Sequence, residues 1–320
     1  MLQYLIILLD DRSTSFCHYD IPNDRNKRLI DLDDLKQGIK FAMMENLMIQ
    51  FVYPDFKLPK LHTEVINSID HIDIRPFADK LEEKVDVIVF NGLPLNLLKE
   101  SYPTSIFRVS PQEFFDFPPL LVKQICRSIK RANIVISNID PILAWDLKQY
   151  ESKIKELADI MEQEYIKGST TQWNILTDRI FLSKMNNCDA GNTTITLAPN
   201  GKFYVCPAFY YDNMEDSVGD VYNGLHIPNQ HLYRLLYAPI CRHCDAYQCK
   251  RCVWLNKRRT LEINTPSHEQ CVVAHLERNA SRLFLHNLRR HGEFMPDKEI
   301  SEIDYLDPFN YIEKWQQENL

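Results

Sequence analysis

The first 180 residues alternate between short apolar runs and longer segments in which apolar residues recur at helical spacing. The run at 4–9 has the continuous apolar character of a strand that is buried on both faces of a parallel sheet, and the runs at 48–53 and 85–90, each with one polar residue, also predict strands. The segments 31–45 and 144–165 place their apolar residues on one face, which predicts amphipathic helices. This alternation of strand and helix favours an α/β fold, either a layered sheet or a partial parallel barrel.

Shorter elements complete this half of the chain. The pattern predicts further strands at 72–74, 106–109 and 132–139, and further helices at 60–68 and 120–131. Ser110 followed by Pro111 is a typical start for one more helix, because Ser caps and Pro is preorganised for the first turn.

The pattern changes from about residue 188. Segments 193–197 and 202–206 flank Asn200-Gly201, and Asn-Gly is the strongest short-range signal for a β-hairpin. A short helix around 231–237 leads into a run of cysteines, which a longer helix at 267–288 follows. A polar, acidic tail comes last, with a terminal helix predicted at 308–317.

Composition excludes several classes of function. The chain has 37 basic and 44 acidic residues, a net charge of −7, which argues against a general nucleic-acid binder. It has only eight glycines and contains neither GxGxxG nor GxxxxGK followed by Ser or Thr, so the common phosphate-binding loops are absent. The apolar run at the N-terminus lacks a basic segment and a cleavage site, and no stretch reaches about 18 apolar residues. We therefore expect a soluble, cytoplasmic protein, and in a reducing cytosol clustered cysteines more often bind metal than form disulfides.

Seven of the nine cysteines lie within one stretch of the sequence. Their order is Cys188, a gap of seventeen residues, Cys206, a longer gap, Cys241-x2-Cys244-x4-Cys249-x2-Cys252, a gap of eighteen, and Cys271. A Cys-x2-Cys pair is a chelating unit, because the turn between the cysteines brings both sulfurs to one metal. A zinc ribbon normally keeps its two pairs well apart in sequence. Iron–sulfur clusters tolerate a division into four and three ligands, because an incompletely ligated iron accepts a substrate or a non-cysteine ligand.

The composite pattern resembles the SPASM domain, the C-terminal extension of many radical SAM peptide-modifying enzymes. Gly201-x4-Cys206 fits the hairpin of that domain, residues 217–225 fit the segment after it, and Cys249-Lys-Arg-Cys252 resembles the close of its four-cysteine run. The resemblance covers roughly residues 188–275 and implies two auxiliary [4Fe-4S] clusters.

The resemblance also implies how the ligands divide. It assigns Cys188, Cys206 and Cys252 to a first cluster, which has an open or non-cysteine position, and Cys241, Cys244, Cys249 and Cys271 to a second. Intervals of four and two residues replace the five and three that are usual in the family, so this division stays open. A single zinc site at Cys241, Cys244, Cys249 and Cys252 is the alternative.

The N-terminal half resembles a radical SAM barrel without its catalytic cluster. Radical SAM enzymes carry Cys-x3-Cys-x2-Cys after the first barrel strand, whereas the matching loop here, residues 12–19, has only Cys17. The strand at 49–54 is not followed by the Gly-Gly-Glu motif of that family. One thiolate cannot hold a cubane, so binding of S-adenosylmethionine is not expected.

Together the two halves resemble the maturases of CXXX-repeat peptides, which implies a precursor peptide with cysteine repeats as partner. This interpretation divides the chain into a degenerate radical SAM-like α/β domain at 1–185, a SPASM-like iron–sulfur domain at 186–288 and a polar tail at 289–320. The function that follows is maturation of a ribosomally synthesised peptide, either by modifying it or as non-catalytic partner of a radical SAM enzyme. Whether the chain is an enzyme stays open, and neither a membrane nor a nucleic acid is expected as partner. The alternative function is a zinc-binding interaction module.

Three further residues have both a functional and a plain interpretation, and a fourth, Cys126, has only a plain one. Cys17 is either a nucleophile or remnant ligand, or a small buried residue. Cys126 lies on the apolar face of a predicted helix and is expected in the core. Asp10 and Asp11 follow a strand, where α/β active sites form, but helix capping or a solvated position is the commoner role.

Charged residues near the cysteines also have two interpretations. His243 and His275 are both candidates to complete the three-cysteine site. The basic residues at 250–251 and 257–259 form either a solvated face or a recognition surface for an acidic leader peptide.

Overall fold

A computed structural model of the chain describes residues 2–22, 27–78, 85–94, 102–137, 139, 146–185 and 187–309. The strands are β1 (Tyr4–Leu8), β2 (Met48–Val52), β3 (Ile72–Pro76), β4 (Val87–Asn91), β5 (Tyr102–Val109), β6 (Ile129–Ile136), β7 (Gln172–Trp173), β8 (Thr194–Leu197), β9 (Phe203–Tyr204), β10 (Gly219–Asp220) and β11 (Gly224–Leu225). The α-helices are α1 (Leu32–Met44), α2 (Lys60–Ile66), α3 (Pro111–Phe115), α4 (Pro119–Ser128), α5 (Leu147–Ile166), α6 (Asp178–Phe181), α7 (Pro207–Asp212), α8 (Val253–Thr260) and α9 (His268–Arg289).

Nine of these strands form one sheet, in the order β7-β6-β5-β4-β3-β2-β1-β8-β9. Strands β1 to β8 pair in parallel, and only β9 pairs antiparallel, with β8 through the hairpin predicted at Asn200-Gly201. The sequential order from β1 to β7, with described helices in the connections β1–β2, β2–β3, β5–β6 and β6–β7, is that of a partial (β/α) barrel. The α/β fold class predicted from the sequence is confirmed.

Local signals explain why the helices begin where they do. Asp31 caps α1 by accepting the N–H of Asp33, and Ser110 forms a reciprocal capping box with Glu113 at the start of α3. Helix α1 then packs closely on the sheet, because Gly38 presents no side chain toward Leu197 of β8.

Two apolar cores lie against different parts of the sheet. One joins β1, β2, β8 and β9 to α1 and continues to the residues after Cys206 and Cys252. The other packs α4, α5 and α9 on β4, β5 and β6. The second half of the chain therefore contributes both strands and a long helix to the cores of the first half, and the domain division at 185/186 stays a prediction.

The structure corrects one predicted helix boundary and adds two helices. The helix predicted at 120–131 ends at Ser128, because Ile129 is extended and opens β6 opposite Tyr102. Helices α7 and α8 have no counterpart in the sequence prediction; each begins directly after a cysteine, Cys206 or Cys252.

The terminal helix predicted at 308–317 falls almost entirely outside the described residues. Among the helices that the structure describes, none combines the length and apolarity that crossing a bilayer requires.

Candidate metal centre

Three of the predicted ligands are placed by the elements that surround the hairpin. Cys188 lies six residues before β8 and donates its backbone N–H to the Lys250 carbonyl at 3.1 Å. Cys206 and Cys252 are the N-cap residues of α7 and α8. The N–H groups in the first turn of each helix lower the pKa of the cap thiol, against the larger effect of burial.

Two of these thiols, Cys206 and Cys252, are close enough to neighbouring cysteines to respond to their charge. Burial raises the pKa of Cys206 well above the usual value, and the charges of Cys252 and Cys188 raise it further. Burial is also the main cause of the raised pKa of Cys252, followed by the charge of Cys188. Cys188, Cys206 and Cys252 are called the first cysteine set below.

The other four predicted ligands form a second cysteine set, Cys241, Cys244, Cys249 and Cys271. Burial raises the pKa of Cys249 to about 12, and the charges of Cys241 and Cys244 add to this effect. Burial also raises the pKa of Cys271, with contributions from Asp307 and then from the other three thiols. Backbone N–H groups of Ala246 and Arg251 donate to the sulfurs of Cys244 and Cys249, each at 3.4 Å.

Neither set converges as the ligands of a single ion do. Within the described residues, no three His, Cys, Asp or Glu side chains are arranged so that they could hold one metal ion. A tetrahedral zinc site with Zn–S bonds of about 2.3 Å requires sulfurs about 3.8 Å apart. A cubane spreads its ligands over separate irons and accommodates thiols that are near one another but not in such contact.

A buried arginine lies between the two sets. The Arg251 side chain is 3% exposed, and its charge lowers the pKa of Cys188 in one set and of Cys241 in the other, against the larger effect of burial. One nitrogen, Nη2, donates to the Tyr233 carbonyl. In the part of the chain that the structure describes, its Nε and Nη1 have no hydrogen-bond partner.

Two more buried arginines flank the second set. Arg278 is fully buried and donates three hydrogen bonds of 2.7–2.9 Å to the carboxylate of Asp245. Arg179 is 4% exposed, reaches the same carboxylate at 3.2 Å and stacks on the Tyr247 ring. One carboxylate thus neutralises only one of two guanidinium charges, and Nε and Nη1 of Arg179 have no partner among the described residues.

These residues fit an anionic, sulfur-ligated group. Unpaired buried cations and N–H donors are unfavourable unless negative charge compensates them. A cubane ligated by thiolates is anionic and bears sulfides that accept hydrogen bonds, and such contacts tune iron–sulfur clusters. The raised thiol pKa values mean that metal binding must displace protons, so binding strengthens as the pH rises.

The loop after β1 contains the remaining sequence candidates. Asp10 and Asp11 are 1% and 5% exposed, so the expectation of a solvated position is wrong. Asp10 accepts hydrogen bonds from the backbone and side chain of Arg12 within the loop, and Asp11 accepts one from the Tyr210 hydroxyl.

The other sequence candidates lie apart from the first set or are engaged elsewhere. His243 is exposed, whereas buried His275 approaches the Cys244 sulfur of the second set at 3.7 Å. Cys126 is 4% exposed in the α4 core, as predicted. In the basic region, Lys257 and Arg258 pair with Asp216 and Asp212.

Comparison of the whole chain with solved structures identifies a known fold. His-tagged anSMEcpe with bound AdoMet superposes with a TM-score of 0.60, covering 95% of this chain and 97% of that one at 11% identity. The chain has the fold of anSMEcpe. A native anSMEcpe structure with AdoMet and the Cp18Cys peptide gives a TM-score of 0.60 over 90% and 99% of the two chains, at 13% identity.

At these identities the likeness to anSMEcpe establishes the fold alone. SuiB from Streptococcus suis, solved with the precursor peptide SuiA, is less similar, with a TM-score of 0.47 over 83% of this chain and 74% of that one, at 12% identity. No protein-family model and no curated protein matches the sequence.

Proposed function

We propose that this chain is an iron–sulfur protein that holds two [4Fe-4S] clusters and takes part in the maturation of a ribosomally synthesised peptide with cysteine repeats. The first cysteine set holds one cluster, and the second set holds the other. The protein acts as non-catalytic partner of a radical SAM enzyme, which it supplies with a bound peptide or with electrons.

The observation that carries the cluster assignment is Arg251. A buried guanidinium with two unpartnered nitrogens between two groups of thiols is explained if both groups ligate anionic clusters. A single zinc ion at Cys241, Cys244, Cys249 and Cys252 would combine three thiols of the second set with Cys252 of the first. The charge effects instead associate Cys252 with Cys188 and Cys206.

The fold supports the peptide-maturation role. anSMEcpe has been solved with AdoMet and with the peptides Cp18Cys and Kp18Cys. Here the loop after β1 has one cysteine, which cannot supply the three thiolates that leave an iron open for AdoMet. This favours the partner role over direct radical chemistry.

Two assays on anaerobically purified protein test the proposal. Fluorescence anisotropy with a synthetic peptide of Cys-x3 repeats measures binding, with a serine-for-cysteine peptide as control. We expect the cysteine peptide to bind more tightly, and equal binding of the two peptides would contradict recognition of the repeats. Incubation of the reduced protein with AdoMet should give no 5′-deoxyadenosine; its formation would replace the partner role by an enzymatic one.

A further inference from the structure

The loop after β1 brings an additional cysteine to the first cysteine set. We infer that Cys17 is the fourth thiol ligand of the first cluster, beside Cys188, Cys206 and Cys252, so that this cluster has no open iron. The inference rests on the proposed function, since it presupposes a cluster, and it names a ligand that lies outside the cysteine-rich stretch.

Interactions with the far side of the sheet fix the loop around Cys17. Arg108 of β5 donates from Nε to the Cys17 carbonyl at 3.0 Å and from Nη2 to the Tyr19 carbonyl at 2.9 Å. The same guanidinium pairs with Asp20 at 2.6 Å. Nδ1 of His18 lies 2.9 Å from the Ile136 carbonyl at the end of β6. The backbone around Cys17 is therefore held on both sides of the cysteine.

The same loop packs on the helix that starts at Cys206. The Tyr19 ring stacks on that of Tyr211 in α7, with centroids 5.2 Å apart and an interplanar angle of 16°. Nearer its start, the loop is joined to α7 by the hydrogen bond from Tyr210 to Asp11. Because Cys206 is the N-cap of this helix, these contacts set the distance between the loop and the first cysteine set.

The Cys17 thiol lies within electrostatic reach of two members of the first set. Burial raises its pKa to about 12, and the charge of Cys188 contributes next. The charge of Cys17 in turn raises the pKa of Cys252, after burial and Cys188. The Lys250 carbonyl accepts the backbone N–H of Cys188, and the Lys250 charge lowers the pKa of both Cys17 and Cys188.

Cys17 and Cys188 are both exposed, yet enough protein surrounds them for desolvation to raise their pKa. Both thiols are therefore accessible from solvent, as delivery of iron and sulfide to the folded chain requires. The histidines do not compete for the position, because His243 is exposed and His275 lies at the second set.

Full cysteine ligation changes what the first cluster can do. A closed cluster has no site for a substrate thiolate. Its roles are electron transfer and a covalent connection between the loop after β1 and the cysteine-rich region. The loop that would hold the AdoMet cluster in the family that the sequence resembles instead supplies a ligand to an auxiliary cluster.

The test compares Cys17→Ala with wild type and with Cys126→Ala, which removes a core thiol outside both sets. All three are purified and reconstituted anaerobically and analysed for iron, sulfide and EPR spectrum. Wild type and Cys126→Ala should contain about eight iron atoms per chain, the content of two cubanes. We expect Cys17→Ala to lose up to half of this iron or to show the EPR signal of a three-iron cluster after mild oxidation. Ferrous iron and a reductant, added together with 2-mercaptoethanol as external ligand, should restore the four-iron spectrum.

The outcomes separate this inference from the proposed function. If wild type has two clusters and Cys17→Ala matches it in iron, EPR spectrum and stability to oxygen, Cys17 is not a ligand although the proposed function stands. If wild type contains no iron, both fail. Alkylation gives a second readout that needs no variant: Cys17 should be protected in the loaded protein and labelled after chelation, and equal labelling would overturn the inference.

Discussion

Replacement of Arg251 by methionine tests whether its charge compensates negative clusters. Its guanidinium is buried and lowers the pKa of one thiol in each cysteine set. Its Nε and Nη1 have no hydrogen-bond partner among the described residues. Loss of a positive charge makes the addition of an electron less favourable, so Arg251→Met should lower the reduction potential of at least one cluster. Arg251→Lys keeps the charge and should shift the potential by less than half as much.

The expected shift follows from Coulomb's law. With an effective dielectric constant of about 20 and a separation of about 10 Å, removal of one unit charge changes the energy of an added electron by about 1.7 kcal/mol. For a one-electron couple this corresponds to about 70 mV. The control is Arg258→Met: the Arg258 side chain is 39% exposed and pairs with Asp212 at 3.1 Å, so solvent screening should keep its effect to about 15 mV or less.

Anaerobic redox titration followed by EPR measures these potentials. Iron content, determined on the same samples, shows whether each variant still holds its clusters. Unchanged or raised potentials in Arg251→Met, with iron content intact, would refute the role assigned to this charge.

Three further predictions concern stability. Burial raises the pKa of Glu277 from 4.5 to about 7. The folded state therefore holds this proton more tightly than the unfolded state, and the contribution of this group to the free energy of unfolding is highest below pH 4.5 and falls as the pH rises through 7. Glu277→Gln should therefore exceed wild type by up to about 3 kcal/mol at pH 8 and match it near pH 4.5 in urea unfolding; equal stability at both pH values would contradict this. Gly38→Ala would place a Cβ 2.3 Å from Leu197 Cδ2 and should destabilise the protein by about 1–2 kcal/mol in thermal unfolding, whereas exposed Lys40→Ala should be near neutral. Removal of the clusters with a chelator should lower the melting temperature and hydrogen-exchange protection around residues 188–271, and unchanged protection would argue against metal ligation there.

The sequence predicts the sheet well because buried parallel strands leave a direct signal in the chain. Strand β1 is an uninterrupted apolar run, β2 has only Gln50 among apolar residues, and the hairpin between β8 and β9 has Asn200-Gly201 at its turn. Helices α7 and α8 are short and begin at cysteines, so neither periodicity nor a polar cap reveals them. Ile129 is apolar in a helix or in a strand, and only its pairing with Tyr102 decides between the two.

The sequence also predicts only part of the candidate site. Spacing identifies seven cysteines, because chelating pairs are local in sequence. Spacing does not associate Cys17 with Cys188, because that proximity arises from the packing of a loop on α7 and from its contacts with Arg108. Arg251 looks like one residue of a basic surface stretch in the sequence, and only its burial reveals an interior charge.

Mössbauer spectroscopy with metal analysis on anaerobically purified protein tests the central claim most directly. Our account predicts about eight iron atoms per chain, matching acid-labile sulfide and a spectrum of [4Fe-4S] clusters without mononuclear iron. A colourless protein that contains stoichiometric zinc and no iron would contradict it.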